Sequence, residues 1–269
     1  VTSPLYENEL VIDDDTHERE WHPAANGFGT GWVKGTDEGY GSVCEPFPDE
    51  LLLPWDEINR RAAEREATKT QLSHKIRAAG LEPLNQEQTN FCFANAPTND
   101  VRVLAMLANQ PNVELSAASV ACLCTNFRNV GGWAKNALEI IRTRGIVPVE
   151  FWPVNAISRK YDTETNWRKA APFKVDKWIV LEPGNLQQRA SLNVQDIPVP
   201  VAYNWWGHEV LGCDYLPDGT FRDWNSWGKS YGDNGFFLVK GNRRIFADGL
   251  AALSLTTGIS ADYSRSLVS

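Results

Sequence analysis

Several things are scarce in this chain. Its 269 residues include one methionine (Met106), four histidines and five cysteines. No run of ~18 uninterrupted apolar residues occurs, which excludes a membrane span of ordinary length. Basic residues are outnumbered, 26 Lys and Arg against 34 Asp and Glu, and the net charge of −8 argues against a basic surface that holds nucleic acid. Five cysteines are an odd number, so they cannot all pair within the chain and a disulfide framework is not expected. No CxxC pairs with metal-ligand spacing are present, so neither a metal nor a cofactor is expected. No basic segment followed by an apolar stretch opens the chain, so no signal peptide is visible. Together with the thiols, this favours a reducing compartment or an assembled particle over secretion.

What is present is ordinary globular material, 42% apolar and 22% charged, with an unusual eleven tryptophans. Composition divides it. Residues 1–54 form an irregular extension with the acidic run Asp13-Asp14-Asp15 and six glycines between Gly27 and Gly41, interleaved with Trp32 and Tyr40. Glycine-rich backbone is costly to order, so this stretch is expected to hug the surface or to be ordered by a partner. Residues 55–80 read as one charged helix, preceded by Pro54, capped near Asp56 and stopped at Gly80, with Glu57/Arg61 and Arg60/Glu64 at i,i+4 spacing. Residues 81–172 read as a helical lobe, best in Val101–Leu107 and Trp133–Arg144. Residues 173–249 read as a β lobe, with short strands over Phe173–Leu181, Val199–Trp205, Glu209–Tyr215, Thr220–Trp224 and Phe236–Lys240. Residues 250–269 are left as a tail, and nothing after Arg244 carries a clear pattern. Helices followed by strands give an α+β class with two lobes.

The chemistry-bearing candidates are few. Cys92 follows a polar stretch and opens a helix-like one, where the helix dipole favours a thiolate. Taken alone, such a cysteine is more often a small buried hydrophobe. His17 and His22 lie in the extension and His74 on the charged helix, as ordinary surface residues. His208 opens a β-like run, Gly207-His208-Glu209-Val210, and Asn225 follows in Asp223-Trp224-Asn225-Ser226-Trp227-Gly228. An imidazole held by an asparagine and shielded by a tryptophan can act as a positioned base for a thiol.

Five collinear stretches between Gly80 and Gly241 resemble the papain-type cysteine peptidases. Asn85-Gln86 with Cys92 resembles the oxyanion glutamine and nucleophile. Leu115-Ser116 through Cys122 to Gly131-Gly132-Trp133, and Gly145-Ile146-Val147-Pro148, resemble the segments that follow. Gly207-His208-Glu209-Val210 resembles the catalytic histidine strand, and Asn225-Ser226-Trp227-Gly228 through Gly235-Phe236 resembles the asparagine block, the most specific of the five. Cys92 and Asn225 are separated by a distance within the usual ~130–150 residues, while His208 comes somewhat early. The resemblance implies a papain-like two-lobed fold with the cleft between the lobes. It implies Cys92 as nucleophile, His208 as base, Asn225 as its orienter, Gln86 in the oxyanion hole, Trp227 as a shield, and Gly131 and Gly132 as the edge along which an extended peptide or protein substrate pairs.

The departures lie around the nucleophile. Thr89 stands where the family has a cysteine, so the bridge to the position of Cys122 cannot form; Cys44, Cys122, Cys124 and Cys213 are expected as buried free thiols. Glu87 and Glu209 put acid where glycine and a small residue are usual. Glu209 facing the site would disfavour the thiolate and raise the imidazolium pKa, but strand alternation can turn it away. Pro97 is expected to bend the following helix or to delay its start. Residues 1–80 do not resemble the family's propeptide. Three readings follow: a thiol peptidase; a papain-like domain that docks through residues 1–54 into a larger assembly such as a virus particle, its activity dispensable; and an acyl transferase or amidase acting on a non-peptide substrate.

Overall fold

In the computed structural model, residues 9–22, 27–35 and 39–255 are described. The helices are α1 (Glu18–Trp21), α2 (Trp55–Thr68), α3 (Leu72–Ala78), α4 (Cys92–Leu107), α5 (Ala117–Thr125), α6 (Ala134–Thr143), α7 (Glu164–Ala170) and α8 (Leu186–Asn193). The strands are β1 (Val11–Ile12), β2 (Cys44–Pro46), β3 (Trp178–Val180), β4 (Val199–Tyr203), β5 (His208–Tyr215), β6 (Phe221–Trp224), β7 (Phe236–Val239) and β8 (Asp248–Ala252). The strands form one sheet in the order β1-β7-β6-β5-β4-β8-β3-β2. The two outermost pairings, β1 with β7 and β2 with β3, are parallel, and the inner ones are antiparallel. One apolar core lies among α4, α5 and α6, around Phe91, Phe93, Val120, Leu138 and Trp152. A second lies within the β lobe, around Ile12, Tyr203, Trp206, Trp227 and Phe237.

Three local expectations need correction. The charged segment is two helices, because Lys69 turns left-handed (φ 53°) and its N–H closes on the carbonyls of Arg65 and Glu66. The turn lets Arg65 on α2 and Lys75 on α3 converge on Asp196. The helix after Cys92 does not start late; it begins at Cys92 itself and continues through Pro97. Nearly all of this helix is buried between the lobes, and packing on every side outweighs the roughly 3 kcal/mol that an interior proline costs. The stretch after Arg244 contains β8, an inner strand of the sheet.

Residues 1–54 supply both edge strands. Val11 and Ile12 pair with Leu238 and Val239, and Cys44–Pro46 pair with Trp178–Val180. An unpaired sheet edge is a template for association; the extension pairs with the outer sides of β7 and β3 and itself supplies the outermost strands. Between those strands the same extension crosses the cleft.

Candidate active site

Cys92 is the first residue of α4 and is fully buried. His208 is the first residue of β5, and Asn225 follows the end of β6. Because β5 and β6 are adjacent antiparallel strands, residues distant in sequence meet: His208 Nε2 and Asn225 Oδ1 are 2.8 Å apart, and both residues are fully buried. Trp227 lies over the imidazole with ring centres 4.8 Å apart. Trp206 meets the ring edge-on at 4.7 Å. Sequence reading missed Trp206; the signal was present in Trp205-Trp206-Gly207-His208, two aromatics abutting the histidine. Phe28, from the extension, stacks on Trp227 at 5.0 Å.

Gln86 is held from both sides. Its Oε1 accepts from Ser226 Oγ at 2.6 Å, and its Nε2 donates to Thr89 O at 2.9 Å and to Gly29 O at 2.8 Å. The last acceptor belongs to the extension. Residues Gly29–Val33 run through the cleft as an extended strap. Gly29 N donates to Glu87 O at 3.0 Å, Gly132 N to Gly31 O at 2.8 Å, Val33 N to Gly132 O at 3.0 Å, and Trp32 N to Gly207 O at 3.2 Å. Trp32 and Gly132 form a parallel β-bridge. The glycines are what allow this fit. A Cβ on Gly31 would stand 2.0 Å from Asn90 O, and one on Gly131 would stand 2.5 Å from Gly31 O. The stretch Gly29–Val33 of the extension is therefore seated in the chain's own cleft.

Enclosure sets the electrostatics. Burial first, then the Glu209 carboxyl, pushes the Cys92 thiol up to about 12, against the backbone N–H groups of Glu209, Gly31 and Phe93. Burial pulls His208 down to about 4, against the Asn225 contact. Its Nδ1 has no hydrogen-bond partner among the described residues. Both groups are thus neutral near pH 7 in this strapped form. Alternation does take Glu209 off the imidazole face, yet it does not deliver it to solvent: the residue is 1% exposed and, among the described residues, neither carboxyl oxygen has a hydrogen-bond partner. Burial, then Asp248, holds its pKa far above the usual carboxylate range. Glu87 is exposed and meets the strap through its backbone.

The five cysteines are free, four of them buried and Cys124 partly so. Among the described residues no cluster of His, Cys, Asp and Glu could hold a metal ion, and no helix is long and apolar enough to cross a membrane.

No family model and no curated protein matches this chain. Solved structures do. Xylellain, a cysteine protease from Xylella fastidiosa, is similar with a TM-score of 0.62 at 13% identity, over 84% of this chain and 96% of that one. Procathepsin B S9 from Trypanosoma congolense gives a TM-score of 0.60 at 16% identity, over 87% and 88%. A recombinant stem bromelain precursor gives a TM-score of 0.56 at 14% identity, over 85% and 77%. What the chain shares with these proteins is architecture, and its fold is the papain-like α+β fold of the cysteine proteases.

Proposed function

We propose that the protein is a thiol-dependent peptidase whose cleft is closed by its own strap. One observation carries this reading: the groove above a buried cysteine already holds a length of extended polypeptide, paired along Gly131-Gly132 and capped by the Gln86 amide. A surface built to receive extended backbone is what a peptide substrate requires.

In the open form, water and charge re-enter, and the reasons for the displaced pKa values of Cys92 and His208 fall away together. The Cys92 sulfur then attacks the carbonyl carbon. His208 takes the thiol proton and returns it to the leaving amine. Asn225 and Trp227 fix the imidazole plane. Gln86 Nε2, released from Gly29 O, and the Cys92 N–H face the developing oxyanion. A donor of this kind contributes about 3 kcal/mol to lowering the barrier.

The strap survives in place for a chemical reason. It presents the N–H of Gly31 to the sulfur, while the carbonyl of Gly31 is turned to Gly132 N. An N–H is not an electrophile, so Gly31 offers the thiol no carbonyl carbon. The test is covalent labelling. An epoxide probe is expected to modify Cys92 once the strap is displaced, and Cys92→Ala to abolish both labelling and peptide turnover. Labelling confined to Cys44 or Cys213 would overturn the assignment. The described parts of residues 1–54 are spent on the sheet edges and the cleft, so docking into an assembly gains no support of its own.

A further inference from the structure

The Trp32 side chain fills a pocket beside the thiol. It is 8% exposed and packs with Cys92, Ala202 and the partly buried Ala247. Its indole N–H donates to Asp248 Oδ2 at 3.2 Å. Sheet register shows what else faces this pocket. Ala202 on β4 stands opposite Glu209 on β5 and opposite Asp248 on β8. Residues directly opposite across antiparallel strands project to the same face. Glu209, Ala202 and Asp248 therefore form one row, a carboxyl at each end and a methyl between, with the indole in contact at the methyl and at one carboxyl.

This row is poorly matched to its occupant. An indole supplies one N–H, which Asp248 takes. Glu209 has an O–H and acceptor sites to satisfy, nearly complete burial and, among the described residues, no hydrogen-bond partner. A buried acid without partners is a liability unless something else is meant to meet it. Asp248 is half-buried, and its pKa is raised by burial, opposed in part by the neighbouring Tyr40 hydroxyl and by the strap's Trp32 and Lys34. The strap thus already brings a cation toward this end of the row.

We infer that, once the strap leaves, this pocket selects a cationic side chain, arginine or lysine, on the substrate residue that pairs with Gly132 in the place of Trp32. A guanidinium has five N–H donors in a planar fork and can reach both carboxylates; the small Ala202 leaves room for its stem. Binding would draw one or both carboxyl protons into solvent and replace an unpaired acid with a charge-assisted pair. This assignment rests on the peptidase reading and gives it a substrate class.

The test uses the full-length chain carrying Trp32→Ala, which empties the pocket, and a positional-scanning library of fluorogenic peptides. One position is expected to prefer Arg or Lys over Leu by at least tenfold in kcat/KM. Adding Asp248→Asn and Glu209→Gln should bring that ratio close to one, with Cys92 labelling and the melting temperature reporting that the variants remain folded. If the double change fails to fold, Asp248→Asn alone should lower the ratio severalfold. A preference for Leu or Phe at every position, with Cys92 still labelled, would overturn the cationic pocket and leave the peptidase standing. A ratio untouched by the substitutions would overturn the role of the two carboxyls. Absence of both turnover and labelling would overturn the peptidase reading, and this one with it.

Discussion

Two carboxyls are buried on neighbouring strands of one sheet, and they are treated in opposite ways. Asp223 on β6 uses both oxygens: one accepts from the fully buried Arg189 guanidinium, the other from Tyr203 Oη at 2.6 Å. Arg189 in turn donates to the Tyr203 hydroxyl at 2.7 Å. Burial alone would lower the guanidinium pKa; the Asp223 carboxylate outweighs it and raises it. Glu209 on β5 has neither a cation nor a hydrogen-bond donor. Asp223 thus has a cation and a hydroxyl as partners, whereas among the described residues Glu209 and the Nδ1 of His208 are unsatisfied. Buried polar groups are normally paired, and Glu209 stands out because both of its carboxyl oxygens lack a partner.

That contrast can be broken from either side. The largest effect belongs to the matched region. Asp223→Ala leaves Arg189 buried and unpaired and is expected to cost 3–5 kcal/mol in urea unfolding. A cost below about 1 kcal/mol would mean that Asp223 is no better matched than Glu209. The next effect belongs to His208. Its folded pKa of about 4 lies below the ordinary histidine value of 6.5, so between those values the unfolded state binds the extra proton. Stability is therefore lost as pH falls from 6.5 through 4, by about 3 kcal/mol in all. His208→Gln should remove that portion of the acid limb, and parallel acid limbs in the two proteins would contradict it.

Third is the strap. Gly31→Ala places a methyl 2.0 Å from the Asn90 carbonyl oxygen. Overpacking of about 1–3 kcal/mol should open the cleft and raise the rate of Cys92 labelling by roughly 5–150-fold. The smallest change has the opposite sign. Glu209→Met replaces an unpaired acid with an apolar side chain of similar shape, and the strapped form should gain about 1 kcal/mol. A loss of stability there would show that Glu209 has a partner in solution, and the contrast with Asp223 would collapse.

The site was legible to the extent that its chemistry is written in short local blocks. Asn225-Ser226-Trp227-Gly228 and Gly207-His208 sit at the ends of strands whose alternation and punctuation are visible, and the structure brings His208, Asn225 and Trp227 together. The delayed start expected from Pro97 did not occur because helix propensity is a local rule, while the burial of α4 between two lobes is not. The charged segment misled for a related reason: the turn at Lys69 is fixed by Asp196, more than a hundred residues away in the chain. Strand β8 was missed because its small residues carry no alternation that stands out; its pairing with β3 and β4 holds it in place.

By itself, then, the sequence named the candidates for the proposed chemistry: one cysteine, one histidine and one asparagine in order, a glutamine ahead of them, and a glycine pair. Such identities depend on functional groups, which residue types specify directly. Tertiary structure alone decided the state of that chemistry. Gly29, Gly31 and Gly35, in a stretch expected only to hug the surface or to need a partner, are close-approach points, because only the opposing walls reveal that a Cβ has no room there. Glu209 looked turned away because alternation describes a single strand; the row it forms with Ala202 and Asp248, and the indole lying on that row, exist only across three strands and a strap drawn from opposite ends of the chain.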